Sequence, residues 1–234
     1  MRVIAVLGAG GALGGAITGR LAAEPDTALV VSDVSSLPEG AGDVSLLADV
    51  AVFEQVESVV ATAMERYGRL DVMISNAGVL APNGRIHNLD DEDWERSFRI
   101  NVLGSVHAIK AAVAVMRPQR SGSVILTASV AGITAWSHSG PYCATKAAVI
   151  ELAKVAAVEY ARDGIRVNCV CPGTFRSAIH DGLPDAALDA IAARHPLGLG
   201  QAADLVGAYS YLAGEDSRWT TGSALVIDGG YSAP

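Results

Sequence analysis

The sequence predicts an α/β fold, with a doubly wound parallel sheet of about seven strands and helices on both faces. Three observations predict it. Short β-branched runs alternate with longer alanine-rich stretches along the whole chain. The short runs are apolar almost throughout, as strands covered on both faces are, instead of alternating apolar with polar. The first run ends in a glycine cluster that passes directly into a helical stretch, the opening of a βαβ unit.

In order, strands are expected over residues 3–7, 28–32, 44–48, 70–75, 123–128, 167–171 and 224–227, each a compact run of Val, Ile, Leu and Ala. Helices are expected over 12–23, 54–67, 91–116, 142–162 and 202–213, longer stretches in which alanine recurs. That alternation describes a Rossmann-type sheet. One connection breaks the pattern. Between Asp33 and Asp49 there is room for a loop and a strand, and Pro38, Gly40 and Gly42 oppose a helix, so an irregular or single-turn crossing is expected. No repeat, low-complexity tract or linker divides the 234 residues, which read as one domain, 1–234.

Composition narrows the function. A formal net charge of −8 argues against nucleic acid or an anionic membrane as partner. Of the cysteines Cys143, Cys169 and Cys171, none forms a CxxC pair, and Cys169 and Cys171 would share one face of a strand. They read as small buried hydrophobes of a reducing compartment, and no metal site is expected. The apolar start, residues 1–7, is too short for a signal segment, and no stretch approaches the ~20 apolar residues of a membrane span. A soluble, unprocessed, cytoplasmic protein is expected.

The glycine cluster Gly8-Ala9-Gly10-Gly11-Ala12-Leu13-Gly14 sits at the strand-to-helix turn. Gly8, Gly10 and Gly14 let backbone approach a pyrophosphate, and the helix start from Leu13 offers free N–H groups and the positive end of a dipole. The next strand ends at Asp33, whose carboxylate can accept both ribose hydroxyls of NAD and repel the extra phosphate of NADP. Neither the turn nor the residues just after Asp33 supply an Arg or Lys for that phosphate, so NAD is the expected cofactor.

Further segments follow in a telling order: Asp49-Val50, Ser75-Asn76-Ala77-Gly78, Asn101-Val102-Leu103-Gly104, Ser129, Tyr142-Cys143-Ala144-Thr145-Lys146, Asn168, Pro172-Gly173, Ser177 and Asp228-Gly229-Gly230. Together with the glycine turn they resemble the short-chain dehydrogenases/reductases over essentially the whole chain. Two residues depart from the pattern: Leu7 stands where threonine is usual, and Ala12 where the middle glycine is. The resemblance implies an NAD(H)-dependent oxidoreductase acting on an alcohol or its ketone. Its cofactor half would be about 1–120 and its catalytic half about 121–234. It further implies that Asp49 and Val50 contact adenine, that Asn76, Ala77 and Gly78 line the cofactor, and that Pro172, Gly173, Phe175 and Ser177 hold its nicotinamide end. Residues 178–195, with Gly182 and Pro184, would correspond to a mobile lid. The helices over 106–116 and 142–162 would form the interface of a homotetramer or homodimer; the second is apolar nearly all round, beyond what one buried stripe needs.

Tyr142 and Lys146, spaced i and i+4, share a helix face. A free phenol titrates near pH ~10, and a neighbouring ammonium would bring it down, so Tyr142 can exchange a proton with the substrate oxygen. By the resemblance, Lys146 also holds the nicotinamide ribose, and Asn101 lends its carbonyl to a water that serves Lys146. Ser129 would hydrogen-bond the substrate oxygen. His138 and Trp136 fall on a loop that should rim the substrate pocket; either could contact substrate or be structural. Two other readings stay open: an NADP-dependent carbonyl reductase, and a non-catalytic dinucleotide-binding regulator.

Overall fold

In the computed structural model, which describes residues 1–177 and 184–233, the expected strands all form. They are β1 (Arg2–Leu7), β2 (Thr27–Asp33), β3 (Val44–Leu47), β4 (Val72–Ser75), β5 (Gly122–Thr127), β6 (Ile165–Pro172) and β7 (Ala224–Ile227). They pair in parallel in the order β3-β2-β1-β4-β5-β6-β7. The chain winds outward from β1 to one edge, returns to β4, and winds to the other. The C-terminal ends of β1 and β4 therefore flank the switch point where open α/β sheets take their ligands.

Except for the edge strand β3, whose Ser45 and Leu47 are exposed, the strands feed two cores in alternation. In β1, Val3, Ala5 and Leu7 face the layer of α2 (Phe53–Tyr67), α4 (Gly104–Gln119) and α5 (Gly140–Tyr160). Ile4 and Val6 face α1 (Ala12–Ala22) and α7 (Ala202–Ala213). Double coverage is why these runs carry no polar alternation. Cys169 and Cys171 share the first core, with Val170 between them in the second, as their spacing predicts.

The crossing from β2 to β3 has no helix. Leu37 and Ala41 pack onto the sheet from a loop, and the Leu29 N–H donates to the Asp43 carboxylate at 2.7 Å. A Cβ on Gly42 would lie 2.9 Å from the Val31 methyls, so the chain passes there only as glycine.

The expected helix 91–116 is not continuous, and this corrects the sequence reading. It divides into α3 (Asp91–Ser97), a π segment (Phe98–Leu103) and α4, which runs on through Pro118 to Gln119. The cause is Asn101. Its side chain bonds the main chain of Val79, accepting from N–H at 2.8 Å and donating to C=O at 3.0 Å, and the local winding widens to bring it there. By length and composition the span Asp91–Gln119 would suffice to cross a membrane, which the sequence reading did not anticipate. Ala108, Ile109, Ala112 and Met116 account for its apolar character by packing on the sheet. A further helix, α6 (Asp185–Ala192), was not expected. It lies within the proposed lid stretch, of which residues 178–183, with Gly182, fall outside the described residues.

Ile17 of α1 is fully buried against β1 and β2. Ile17→Ala should destabilise the protein by about 2–5 kcal/mol, lowering the chemical-denaturation midpoint without changing the denaturant slope.

Candidate active site

The turn after β1 is built on two close approaches. Gly8, at φ +81, lies where a Cβ would sit 2.5 Å from the Ala77 backbone; a Cβ on Gly14 would sit 2.1 Å from the Gly8 carbonyl oxygen. The Gly8 and Ala9 N–H groups bond the Ser32 carbonyl at 2.8 and 3.0 Å, and the Asn76 side-chain amide donates to the Gly8 carbonyl at 2.8 Å. Helix α1 then starts from Gly11 with no side-chain cap and no acidic residue in its first turn, so its leading N–H groups remain available to an anion. Asp33, at the end of β2, accepts from Gly10 N–H at 2.9 Å and Ser35 N–H at 3.2 Å, which fixes its carboxylate beside the turn. The Ala12 methyl and Leu13 border the same cavity. These features fit a dinucleotide, with pyrophosphate on the α1 amides and a ribose at Asp33.

Asp49 accepts from Ala51 N–H at 2.9 Å at the end of β3, near that ribose position. The Val50 side chain is buried in the core and packs on Gly104, and its carbonyl meets His107 Nδ1 at 2.7 Å, which leaves its N–H to meet a base. Asn76 and Ala77 donate their N–H groups to the Leu7 carbonyl, joining β4 to β1 at the switch point. At Gly78 a Cβ would lie 3.2 Å from Asn101 Oδ1 and 3.3 Å from Lys146 Nζ, so this glycine lets both approach the strand end. Gly173 packs against Asp228, whose carboxylate takes Gly230 N–H, Ser232 N–H and the Ser232 hydroxyl. The closing Asp-Gly-Gly thereby supports the segment after β6. Asn168 does not enter the site: it is buried and binds Thr220 and Ser223.

Ser129, Tyr142 and Lys146 meet the glycine turn in one cavity of about 390 Å³, with Trp136, Leu80 and Phe175 as apolar walls; Pro172, Gly173 and Ser177 also border it. Ser129 follows β5 and accepts from Ala131 N–H at 3.1 Å. Tyr142 and Lys146 project from the first turns of α5. Lys146 is only 4% exposed, and its ammonium donates to the Thr127 carbonyl at 2.8 Å, 5.7 Å from the centre of the Tyr142 ring. Burial lowers its pKa to about 8, against a smaller opposing effect of Cys171 and Cys169. The expected lowering of the Tyr142 phenol is not found in the free protein. Burial raises it, and interaction with the Ser129 hydroxyl only partly offsets that. The reason is geometric: Lys146 is turned to the Thr127 carbonyl, and Trp136 stacks on the phenol ring at 6.2 Å.

The Asn101 side chain is spent on Val79 and Thr145, and its carbonyl accepts from the Ser105 hydroxyl at 2.8 Å. Trp136 is a wall of the cavity, whereas His138 is exposed at φ +66 with its ring on the Ser137 hydroxyl and does not border it. Sequence reasoning missed Thr127, Leu80 and Tyr231, whose ring packs edge-on to Trp136. Thr127 acts through a backbone carbonyl, which leaves no residue-type signal; only its place two residues before Ser129 hints at it. Among the described residues no group of three or more His, Cys, Asp or Glu could hold a metal. A larger hollow of about 1220 Å³ opens at the opposite end of the strands. Three of its arginines are matched, Arg2 by Glu24, Arg69 by Asp71 and Arg166 by main-chain carbonyls, and Glu24 also takes the Ser210 hydroxyl.

Residues 20–232 match a family model described as enoyl-(acyl carrier protein) reductase. The chain is 35% identical to the cis-4-hydroxycyclohexanecarboxylate dehydrogenase of Sinomonas cyclohexanicum, over 99% of this chain and 97% of that one. Among solved structures, ElxO with NADP bound superposes with a TM-score of 0.92 at 27% identity, covering 100% of this chain and 99% of its own. NAD+-bound xylitol dehydrogenase superposes at 0.90 with 28% identity, covering 98% of both. The chain thus belongs to the short-chain dehydrogenase/reductase family and is an oxidoreductase of alcohol and ketone substrates that works with a nicotinamide dinucleotide.

Proposed function

We propose that the protein uses NAD(H) to interconvert a secondary alcohol and its ketone, with Tyr142 as the proton-transfer group. The observation that carries this is the meeting of Ser129, Tyr142 and Lys146 with the glycine turn in one cavity, with Asp33 fixed at the turn's other side. Nicotinamide, when bound, supplies or accepts the hydride. Gly8, Gly10, Leu13 and Gly14 would hold the pyrophosphate, Asp33 the adenosine ribose, Asp49 and the Val50 main chain the adenine. Asn76, Ala77, Gly78, Pro172, Gly173, Phe175 and Ser177 would line the nicotinamide side.

The choice of NAD over NADP rests on Asp33. Its carboxylate would face a 2′-phosphate at hydrogen-bonding range, a like-charge contact that disfavours binding. Ser129 would donate to the carbonyl oxygen of the ketone while Tyr142 delivers its proton to that oxygen; in the reverse direction Tyr142 takes the alcohol's proton. Because burial raises the Tyr142 pKa, the phenol of the free protein keeps its proton, so the group is present in the form a carbonyl oxygen needs as donor. Lys146 must leave the Thr127 carbonyl, or share it, to reach a ribose hydroxyl. Asn101 would contribute through its carbonyl, in competition with Ser105. The walls Trp136, Leu80 and Phe175 suit a compact carbon frame, and the hydroxycyclohexanecarboxylate named for the Sinomonas relative supports a cyclic one. A homotetramer or homodimer in the cytoplasm is part of this proposal; Val155 and Val158, 47% and 81% exposed on α5, support an interface there. So is a functional division near residue 120 into cofactor and catalytic halves.

Titration followed by nicotinamide fluorescence should show NADH binding at least about tenfold more tightly than NADPH, a preference of ~1.4 kcal/mol. Asp33→Ala should narrow that gap; equal or tighter NADPH binding by the unmodified protein would overturn the choice of cofactor. Tyr142→Phe should retain NADH binding and lose on the order of 10²–10⁴-fold in turnover. Retained turnover would remove Tyr142 from its role.

Lys146→Met separates site chemistry from stability. In the folded protein burial brings the ammonium down to about 8, below the ordinary lysine value of 10.5 that the unfolded chain approaches. Burying the charge therefore costs stability at every pH below about 8, on the order of 3 kcal/mol. The cost fades as the folded protein loses its proton while the unfolded chain still holds one, across the window from about 8 to 10.5. Lys146→Met should be inactive, more stable at pH 7, and should lose its advantage by pH 10. A Met variant less stable at pH 7 would contradict this account.

A further inference from the structure

Tyr209 of α7 lies far from Tyr142 and Lys146 in sequence, is fully buried, and is the largest such side chain in the protein. Its phenol is 2.9 Å from the Thr127 hydroxyl. In β5, Val124 and Leu126 face the α5 layer and Ile125 faces the α1 and α7 layer, so the Thr127 side chain points toward α7. Its carbonyl holds Lys146 from the other layer. Thr127 is therefore where the two helical layers meet at the end of the sheet.

The hydrogen-bond directions can be assigned. Asn76 must present its amide nitrogen to the Gly8 carbonyl, so its oxygen faces Thr127. The Thr127 hydroxyl has one hydrogen, which goes to that oxygen at 3.2 Å. Its lone pair then accepts from Tyr209. Burial raises the Tyr209 pKa, keeping the phenol protonated as this requires. A one-way chain runs Tyr209 O–H to Thr127 O–H to Asn76, and from the Asn76 amide to Gly8, the first residue of the cofactor turn.

We infer that Tyr209 is a positioning residue for dinucleotide binding: its hydroxyl fixes the Thr127 rotamer, which orients Asn76 and through it the Gly8 carbonyl. The inference rests on the reading of the glycine turn as the dinucleotide site. A phenylalanine fills the same space, so packing alone predicts no change in binding when the hydroxyl is removed.

The test measures dissociation constants for whichever of NADH and NADPH the unmodified protein binds more tightly, together with thermal unfolding. The variants are Tyr209→Phe, Thr127→Val, Thr127→Ser and the Tyr209→Phe/Thr127→Val pair. Tyr209→Phe and Thr127→Val should each weaken binding about three- to tenfold, as expected for one buried hydrogen bond. The pair should be no weaker than the weaker single variant, since both cut one chain. Thr127→Ser, which keeps the hydroxyl, should restore binding to within about twofold. Unchanged affinity in Tyr209→Phe, or losses that multiply in the pair, would overturn the inference even where the unfolding temperature falls. Absence of dinucleotide binding by the unmodified protein would overturn the underlying reading as well.

Discussion

A buried ammonium sets the terms for the rest of this site. Lys146 reaches the end of the sheet almost without solvent, and its ammonium donates there to the Thr127 carbonyl. Such a charge is tolerated only where donors and acceptors are fixed in advance, because an ion loses several kcal/mol of hydration on burial. The surrounding order follows from that. Gly78 leaves room for the ammonium, Asn101 ties down the adjoining backbone of Val79, and the helix carrying Asn101 widens to do so. The interruption of the long helix is thus a consequence of holding the strand end still beside a charge.

The second constraint is distance between backbones. Gly8 and Gly14 sit where any side chain would collide with main chain, and Gly8 also has a backbone conformation that favours glycine. The turn is consequently narrow and rigid, with β1, β4 and α1 converging on it. Ala12 is different. Its methyl borders the cavity and collides with nothing in the fold, so the departure from the family pattern alters the lining of the site and leaves the turn intact.

The parts legible in the sequence were those that depend on residue type. Apolar runs placed the strands because all but the edge strand β3 are covered twice, and Pro38, Gly40 and Gly42 correctly excluded a helix after β2. The glycine turn, Ser129, Tyr142 and Lys146 were legible because their chemistry is carried by side chains. What escaped depends on main-chain atoms or on the third dimension. The Thr127 carbonyl has no signature, and the helix over 91–116 has the right propensity throughout, so nothing in its composition announces that Asn101 will seek Val79. The phenol's direction of shift was misjudged for the same kind of reason. Spacing i and i+4 puts Lys146 and Tyr142 on one face, but it cannot tell which acceptor the ammonium will choose.

That choice shapes how the protein can work. With Lys146 on Thr127 and Trp136 over the ring, burial dominates the phenol, and Tyr142 rests in its protonated form. A proton donor in that state is ready for a carbonyl oxygen. To serve as a base it must first be brought down, which requires positive charge closer than Lys146 now stands. Under the proposed function, an ammonium drawn nearer the phenol by the ribose would couple cofactor binding to proton transfer through this one side chain. The two layers of helices meet at the same point, since the residue that holds Lys146 by its carbonyl holds the glycine turn by its hydroxyl, through Asn76. On the inferred role of Tyr209, affinity for the dinucleotide and readiness of the acid would both depend on the position of Thr127.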